Sequence, residues 1–503
     1  MNHLPVLVIV IPLIGGFLLS FTELAPLAVR RNLKRSIALL AAGTHAIVLL
    51  TAATQAMNHG TMWYYLGEWR APVGIVLRVD RFAAFFLATL ALGHVMGVLI
   101  RMGTQHVTQW EGKSAALLSL LFAAFSGIVV TADLFNLYVF IELATVTSVG
   151  LISRKQYPSS AVAGFMYLMV GTISGALLLF AILIIYSVGG TVTMPLIAPA
   201  IQHMPATMRA VVVAAITVSL GIKFGMVPFH FWQPRAYRAA GMTASGVLSG
   251  FGMNIYIYAL IRVLWEPLSA ATTVNTVFLV LTGIAIVTIL TGHIMALWET
   301  NLVRMLAYSS VAHSGYILVA FAAAGKLFAA PGGAALATGA IGAAMFHMAV
   351  HSIMKSTLLW SGHHFVFRSG SSIMTSHHSL GRPGLGPAVA FSVAALAIIG
   401  IPPTAGFASK WAVAAAQIHL IPVLAIAAGT AISLGYYVRY FIILFATPSG
   451  VRKRRDATVS DGGATILLLL MAVVLVYAGL QEESVRSLLV LAAESLINPE
   501  ALP

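Results

Sequence analysis

Cysteine is absent from the 503 residues and charge is scarce, with 8% of the chain Asp, Glu, Lys or Arg against roughly 25% in an average soluble domain. Without thiols there are no disulfides, no thiol redox chemistry, no cysteine-ligated iron–sulfur cluster and no c-type haem attachment. With 59% of residues hydrophobic, a water-soluble globule is excluded as well. No Walker phosphate loop occurs, so ATP does not drive the chain directly. The glycine fingerprint of a dinucleotide-binding fold is also missing, leaving nothing to hold an electron carrier. Acids are scarcest: 14 Asp and Glu face 28 Lys and Arg. The net charge of +14 therefore reflects missing acids. It argues against a nucleic-acid partner and makes the surplus first of all a topology signal.

Long apolar runs are what the chain does have. A spanning helix needs roughly 20 mostly apolar residues, and about fourteen such runs can be read, centred near residues 12, 44, 91, 122, 143, 173, 218, 253, 285, 313, 350, 395, 432 and 472. Only Thr131-Ala132-Asp133 separates the runs at 122 and 143. Lys and Arg collect on the cytoplasmic side of membrane proteins. With an outward N-terminus, cytoplasmic connections hold Arg30, Arg31, Lys34 and Arg35, then Arg101 and Lys113, Arg154 and Lys155, Arg235 and Arg238, Arg304, Arg368 and Arg382, and Arg452 to Arg455. Far fewer fall in the outward connections. The expectation is an all-α integral protein of the plasma (inner) membrane, multi-pass, with both termini on the outer face. Ser187 to Met208 is the one long loop.

A charge at bilayer depth costs at least roughly 2.5–3.5 kcal/mol, which makes intramembrane ionisable groups functional candidates. Of the 14 acids, only Glu142 lies near the middle of a run, in Asp133-Leu-Phe-Asn-Leu-Tyr-Val-Phe-Ile-Glu142. A structural ion pair or a proton acceptor would both account for it. Lys223 sits in Gly221-Ile-Lys-Phe-Gly225-Met-Val-Pro228-Phe-His230-Phe-Trp232, a span loosened by glycine and proline of the kind that lines hydrated cavities; the alternative is a snorkelling side chain. Lys410 follows Gly400-Ile-Pro-Pro-Thr-Ala-Gly406-Phe-Ala-Ser, a second interrupted span with a lysine. His347, His351 and Lys355 recur every four residues and so share one helix face. His313 adds to this polar set. His293 and Arg439 read as structural. The pairs His363-His364 and His377-His378 lack an accompanying carboxylate or thiol, so neither a metal nor a cofactor is expected.

These residues resemble a family. The Asp133–Glu142 run, Val227-Pro-Phe-His-Phe-Trp232, Arg304-Met-Leu-Ala-Tyr-Ser-Ser310, His351-Ser-Ile-Met-Lys-Ser356 and Gly400–Lys410 look like the antiporter-like subunits shared by respiratory complex I, Mrp-type cation/proton antiporters and membrane-bound hydrogenases. The likeness runs from about Trp63 to Lys410 and is strongest to the Mrp D subunit. It implies fourteen helices with two inverted five-helix repeats and broken helices 7 and 12. The corresponding division is an N-terminal three-helix segment (1–110), a first repeat (111–265), a second repeat (270–447), and a basic loop, last helix and tail (448–503). The resemblance further implies proton transfer through Glu142, Lys223, His313, His351 and Lys410, with Glu142 and Lys223 a coupled pair a few ångströms apart, and Lys355 joins this set through its place on the His347–His351 face. The implied partners are other membrane subunits of a multisubunit complex.

Two departures stand out. Asn254 occupies the place of the usual eighth-helix lysine, and Gln233-Pro-Arg-Ala-Tyr237 replaces a common Leu-Pro-Asp-Ala-His. Either water held by Asn254, Tyr256 and Tyr258, with His230 and His347 in support, joins the halves, or the halves are weakly coupled. The readings open at this point are a subunit moving protons, with or without sodium in exchange; the proton-pumping arm of a redox enzyme; a proton channel energising a cytoplasmic partner; and a degenerate scaffold.

Overall fold

The computed structural model describes residues 3–103, 111–153, 158–268, 274–378, 380, 384–446 and 462–502. The basic positions Arg154, Lys155, Arg382 and Arg452 to Arg455 lie outside them. The chain opens with α1 (Leu4–Phe21) and α2 (Leu27–His59), then an antiparallel hairpin of β1 (Met62–Tyr65) and β2 (Val76–Val79) in the register Met62↔Val79. There follow α3 (Arg81–Gly103), α4 (Glu111–Val130), α5 (Leu134–Ile152), α6 (Pro158–Gly189), α7 (Ala198–His203), α8 (Ala206–Phe224), α9 (Gln233–Val247) and α10 (Met253–Leu268). The rest is α11 (Val274–Trp298), α12 (Leu302–Phe328), α13 (Ala334–Ser369), α14 (Leu385–Ile399), α15 (Ala405–Ala415), α16 (Leu420–Phe445), α17 (Gly462–Leu480) and α18 (Glu482–Ile497).

Among the described residues, 12 helical stretches are long and apolar enough to cross a membrane. The runs expected at 218 and 253 fall within one stretch, 206–265, in which α8, α9 and α10 follow one another with short breaks. The run at 395 is divided into α14 and α15, each shorter than a span. The close runs at 122 and 143 are separate helices. Asp133 makes the turn between them: its carboxylate accepts from the Asn136 amide at 2.8 Å as the N-cap of α5.

Two features were not expected. The connection after α2 is a hairpin, and its second strand is continued by the α4–α5 turn, since the Ala132 amide donates to the Val76 carbonyl at 3.0 Å and that of Met194 to Ala132 at 2.8 Å. The Ser187–Met208 loop is thus tied down and carries α7. The C-terminal tail forms α18, whose buried Leu489, Ala492, Ala493, Leu496 and Ile497 keep helical spacing. It packs on α13 and α3.

Several local devices occur twice. Asn301 caps α12 as Asp133 caps α5, accepting from the Arg304 amide at 3.2 Å. Each cap residue also bridges a later loop, Asp133 to Thr193 and Asn301 to Ile373. Likewise α8 and α14 both end on a left-handed glycine, Gly225 (φ 78°) and Gly400 (φ 91°). At each, the next amide reaches back five residues, Met226 to Gly221 at 2.8 Å and Ile401 to Leu396 at 3.0 Å. This is the Schellman closure, in which a residue without Cβ adopts positive φ and the last carbonyls find donors.

Candidate functional site

Lys223 lies in the last turn of α8, where its charge suits the helix C-terminus. It is 2% exposed, and its ammonium donates to Thr145 Oγ1 on α5 at 2.5 Å and to the Gly171 carbonyl on α6 at 3.4 Å. The expected pair of Glu142 and Lys223 is coupled only through space: Glu142 Oε1 is buried without a hydrogen-bond partner, and no direct ion pair joins the two. The reason is α6. Its Gly171 and Gly175, one turn apart, present bare backbone, Gly171 to Thr145 and Lys223 and Gly175 to the Glu142 carboxylate. Between them Ser174 and Ser219 exchange bonds with each other's carbonyls at 2.8 and 2.7 Å, holding α6 tightly on α8 as small residues do between membrane helices. The acid and the base therefore occupy successive turns of one polar seam.

Beyond it Ser148, Tyr167 and Tyr256 are buried, the hydroxyls of Ser148 and Tyr256 without a hydrogen-bond partner. The Tyr167 ring also meets Trp232 edge-on at 4.7 Å. Tyr258 belongs elsewhere. Its hydroxyl donates to the Val129 carbonyl at 2.6 Å and accepts from Arg262. The Arg262 guanidinium in turn grips Asp80 with two bonds of 2.6 and 2.7 Å, and Arg78 stands 3.4 Å from the same carboxylate. Burial pushes the Asp80 carboxyl up, but Arg262 and Arg78 outweigh it and hold it at about 2. This cluster joins α10 to the start of α3. His230 also stands apart, partly buried on the turn before α9 and facing Tyr308 at 6.2 Å between ring centres.

At the centre, a π-helical turn, Leu248–Gly252, leads into α10. Gly250 is required there, because a Cβ would lie 2.7 Å from the Ser352 carbonyl of α13. The close approach delivers Asn254 to α13, where the two hydrogens of its amide nitrogen are shared among Met348 O and Ser352 Oγ at 2.8 Å and Gly250 O at 2.9 Å, with His351 Nδ1 at 3.5 Å.

The second half holds a three-membered hydrogen-bonded chain, His313, His347 and Ser409, with His351, Lys355 and Lys410 around it. The His351 ring lies 5.5 Å from that of His313. His313 Nδ1 is 2.9 Å from His347 Nε2, and His347 Nδ1 is 3.0 Å from Ser409 Oγ. Lys355, with no exposed surface, donates to the Leu306 carbonyl of α12 at 2.8 Å. Lys410 reaches across the 400–404 break to Ile399 O at 3.0 Å and Thr430 Oγ1 at 3.4 Å, its ammonium 4.9 Å from the centre of the Tyr316 ring. The structure thus brings His313, His347, His351, Lys355 and Lys410 into one polar region, and Glu142 and Lys223 into another, with Asn254 and Tyr256 between.

Sequence reasoning passed over three groups. His293, read as structural, bonds the hydroxyls of Tyr316 at 2.9 Å and Tyr436 at 3.2 Å, and its ring is 6.1 Å from that of His313. Its mid-span position was the available signal. Ser409 carried none, being one small polar residue among many. In the N-terminal helices His45 and His94 face each other at 2.9 Å, fully buried. Among the described residues no group of three or more His, Asp or Glu is arranged to hold a metal ion.

The sequence profile described as "NADH:quinone oxidoreductase/Mrp antiporter, TM" matches residues 131–435, the interval holding every proton-transfer candidate. The N subunit of the NADH-quinone oxidoreductase of Desulforudis audaxviator is 30% identical over 421 residues, 81% of this chain and 79% of that protein. The D subunit of the Na(+)/H(+) antiporter of Alkalihalophilus pseudofirmus is 27% identical over 460 residues, covering 88% and 87%. A chain of the archaeal membrane-bound sulfane sulfur reductase superposes with a TM-score of 0.87 at 23% identity, covering 99% of this chain and 98% of that one. A chain of the Mrp complex from Dietzia sp. gives 0.86 at 22%, covering 100% and 99%. These two likenesses show a shared fold.

Proposed function

Since the chain belongs to the NADH:quinone oxidoreductase/Mrp antiporter transmembrane family, we propose that it moves protons along its polar seam as one membrane subunit of a larger complex. The observation that carries this is the succession of titratable side chains from half-buried Glu142 through the fully enclosed Lys223, His351, His313, His347 and Lys410. Structural charges would be expected as closed pairs, as at Asp80. Here the seam holds an unpartnered carboxylate oxygen and lysines bound to neutral oxygens, groups free to change protonation.

Proton is favoured over sodium as the cargo of this chain. A sodium site needs converging oxygens, commonly backbone carbonyls freed at helix breaks. The Ile399 carbonyl at the end of α14 is instead bound by Lys410, and Glu142 is the one mid-membrane acid. The repeated caps and glycine closures support the division into repeats 111–265 and 270–447.

In membrane vesicles of the assembled complex, Glu142→Gln and Lys223→Ala should each lower proton translocation at least about tenfold with assembly intact. Unchanged translocation would sink the reading. The second reading, the pumping arm of a redox enzyme, is favoured by relatives named as subunits of NADH-quinone oxidoreductase and F(420)H(2) dehydrogenase. Co-purifying iron–sulfur subunits would establish it, and small membrane subunits alone would favour an antiporter. Both termini are proposed to face outward. Because the chain has no cysteine, an Ala501→Cys variant should react with a membrane-impermeant maleimide from the outer side and a Lys113→Cys variant only from the inner side.

A further inference from the structure

Ser409 stands near the start of α15, beside Lys410. Its hydroxyl makes two contacts, 3.0 Å to His347 Nδ1 and 3.2 Å to the Gly406 carbonyl. A hydroxyl has one hydrogen and a carbonyl only accepts, while a neutral imidazole carries hydrogen on one nitrogen. Two arrangements follow. When Ser409 donates to Gly406, His347 Nδ1 donates to Ser409, His347 Nε2 is a lone pair that accepts from His313 Nδ1, and His313 Nε2 is bare. When Ser409 donates to His347 Nδ1, each of these bonds reverses and His313 Nε2 carries the hydrogen. Both rings are fully buried and stacked 6° from parallel. His313 Nε2 has no partner, so nothing at its far side competes with Ser409 for the choice.

We propose that Ser409 is a positioning residue: the rotation of its hydroxyl sets the tautomers of His347 and His313, and with them the direction in which this three-member wire takes up a proton. The inference rests on the proton-transfer reading above. In the first arrangement a proton binds His313 Nε2, and His313 gives its Nδ1 proton to His347 Nε2. His347 gives its Nδ1 proton to Ser409 Oγ, and the original Ser409 proton leaves to a base at the helix break, a water or the neutral Lys410 amine. One proton enters and one leaves, and every N–H or O–H bond broken is matched by one formed. The wire is left in the second arrangement, poised for transfer in the opposite sense.

The test uses the full complex in native-lipid vesicles with ¹⁵N-labelled histidine, read by solid-state NMR alongside proton flux. His313→Gln and His347→Gln identify the two signals. In the wild type, His313 and His347 should share one tautomer, both Nδ1–H or both Nε2–H. Ser409→Thr keeps the hydroxyl and should keep that signature. Ser409→Ala and Ser409→Gly both remove it and should release His347 to a mixture of tautomers, slowing flux about tenfold, the scale of one hydrogen bond's net worth. Opposite tautomers in the two wild-type rings, or an unchanged signature in both hydroxyl-less variants, would overturn the proposal. If the tautomers behave as expected but wild-type vesicles move no protons, the transport reading fails and the assignment of Ser409 stands.

Discussion

Lys410 reaches back across a broken helix to donate to the carbonyl of Ile399 at 3.0 Å, so that a residue of α15 caps the end of α14. Lys223 in the first half sits ahead of its break rather than beyond it, in the last turn of α8 before its own left-handed glycine. In both halves a buried ammonium stands where a helix C-terminus offers negative potential. Neither ammonium donates to a carboxylate, and a lysine held by neutral oxygens can give up its proton without breaking an ion pair.

Replacing Lys410 with methionine keeps the length of the side chain and removes the proposed proton carrier. Proton flux in vesicles should fall at least about tenfold. The Ile399 carbonyl loses its donor from Lys410, which costs about 1–3 kcal/mol and should appear as a lower unfolding temperature of the purified complex. Full flux in an assembled Lys410→Met complex would remove Lys410 from the path.

The glycines of α6 set the spacing of the first half. A methyl group at position 175 would overlap the Glu142 carboxylate, the mobile end of a flexible side chain, whereas one at 171 would lie 2.6 Å from Thr145 Cγ2 and 3.3 Å from Lys223 Nζ. Thr145 is β-branched and stiff. Gly171→Ala should therefore destabilise by about 1–3 kcal/mol and displace Lys223 from Thr145. Gly175→Ala should assemble normally and reduce flux several-fold by redirecting Glu142. Equal effects of the two on stability would contradict this account.

Much of the seam was readable because chemistry at membrane depth is rare. Glu142 stood out as the one mid-span acid, Lys223 and Lys410 because glycine and proline interrupt their spans, and His347, His351 and Lys355 through their spacing of four. What was not readable depends on how helices meet. The missing contact between Glu142 and Lys223 follows from the bare faces of Gly171 and Gly175 on a third helix, which no motif around either charge encodes. Tyr258 looked like a companion of Tyr256 two residues earlier, but alternate residues point to different sides of a helix, and Tyr258 turns to Arg262. The hairpin after α2 was hidden because its β2 strand, Val76–Val79, is buried between helices and lacks the alternation of a half-exposed strand.

Asp80 should be the acid-sensitive fastening of the N-terminal helices. Its folded value of about 2 lies below the ordinary 3.8, so the stability it contributes is present above the ordinary value and is lost as pH falls from about 4 toward 2. Asp80→Asn removes the countercharge of buried Arg262 and Arg78, and breaking such a cluster from one side costs about 3–5 kcal/mol. The variant should unfold earlier at neutral pH and lose most of the wild type's extra destabilisation between pH 4 and 2, as measured by thermal unfolding across that range.

Asn254→Lys asks how much the central departure costs. The asparagine nitrogen is surrounded by acceptors, Met348 O, Ser352 Oγ and Gly250 O, all within 2.9 Å, while its Oδ1 has no partner. An ammonium brings three donors and no acceptor, so the site satisfies a lysine head better than it satisfies an amide. The crevice between Phe85, Thr89, Phe251 and Met348 that adjoins position 254 is too tight for a water molecule, so the longer stem has to displace these side chains. An assembled Asn254→Lys complex places a titratable group between Tyr256 and His351. If coupling between the halves limits the wild type, proton flux rises several-fold and Glu142→Gln suppresses flux through the whole seam. A folded Asn254→Lys complex with unchanged flux means that Asn254 and water already carry the proton across the centre as fast as the rest of the chain can use it.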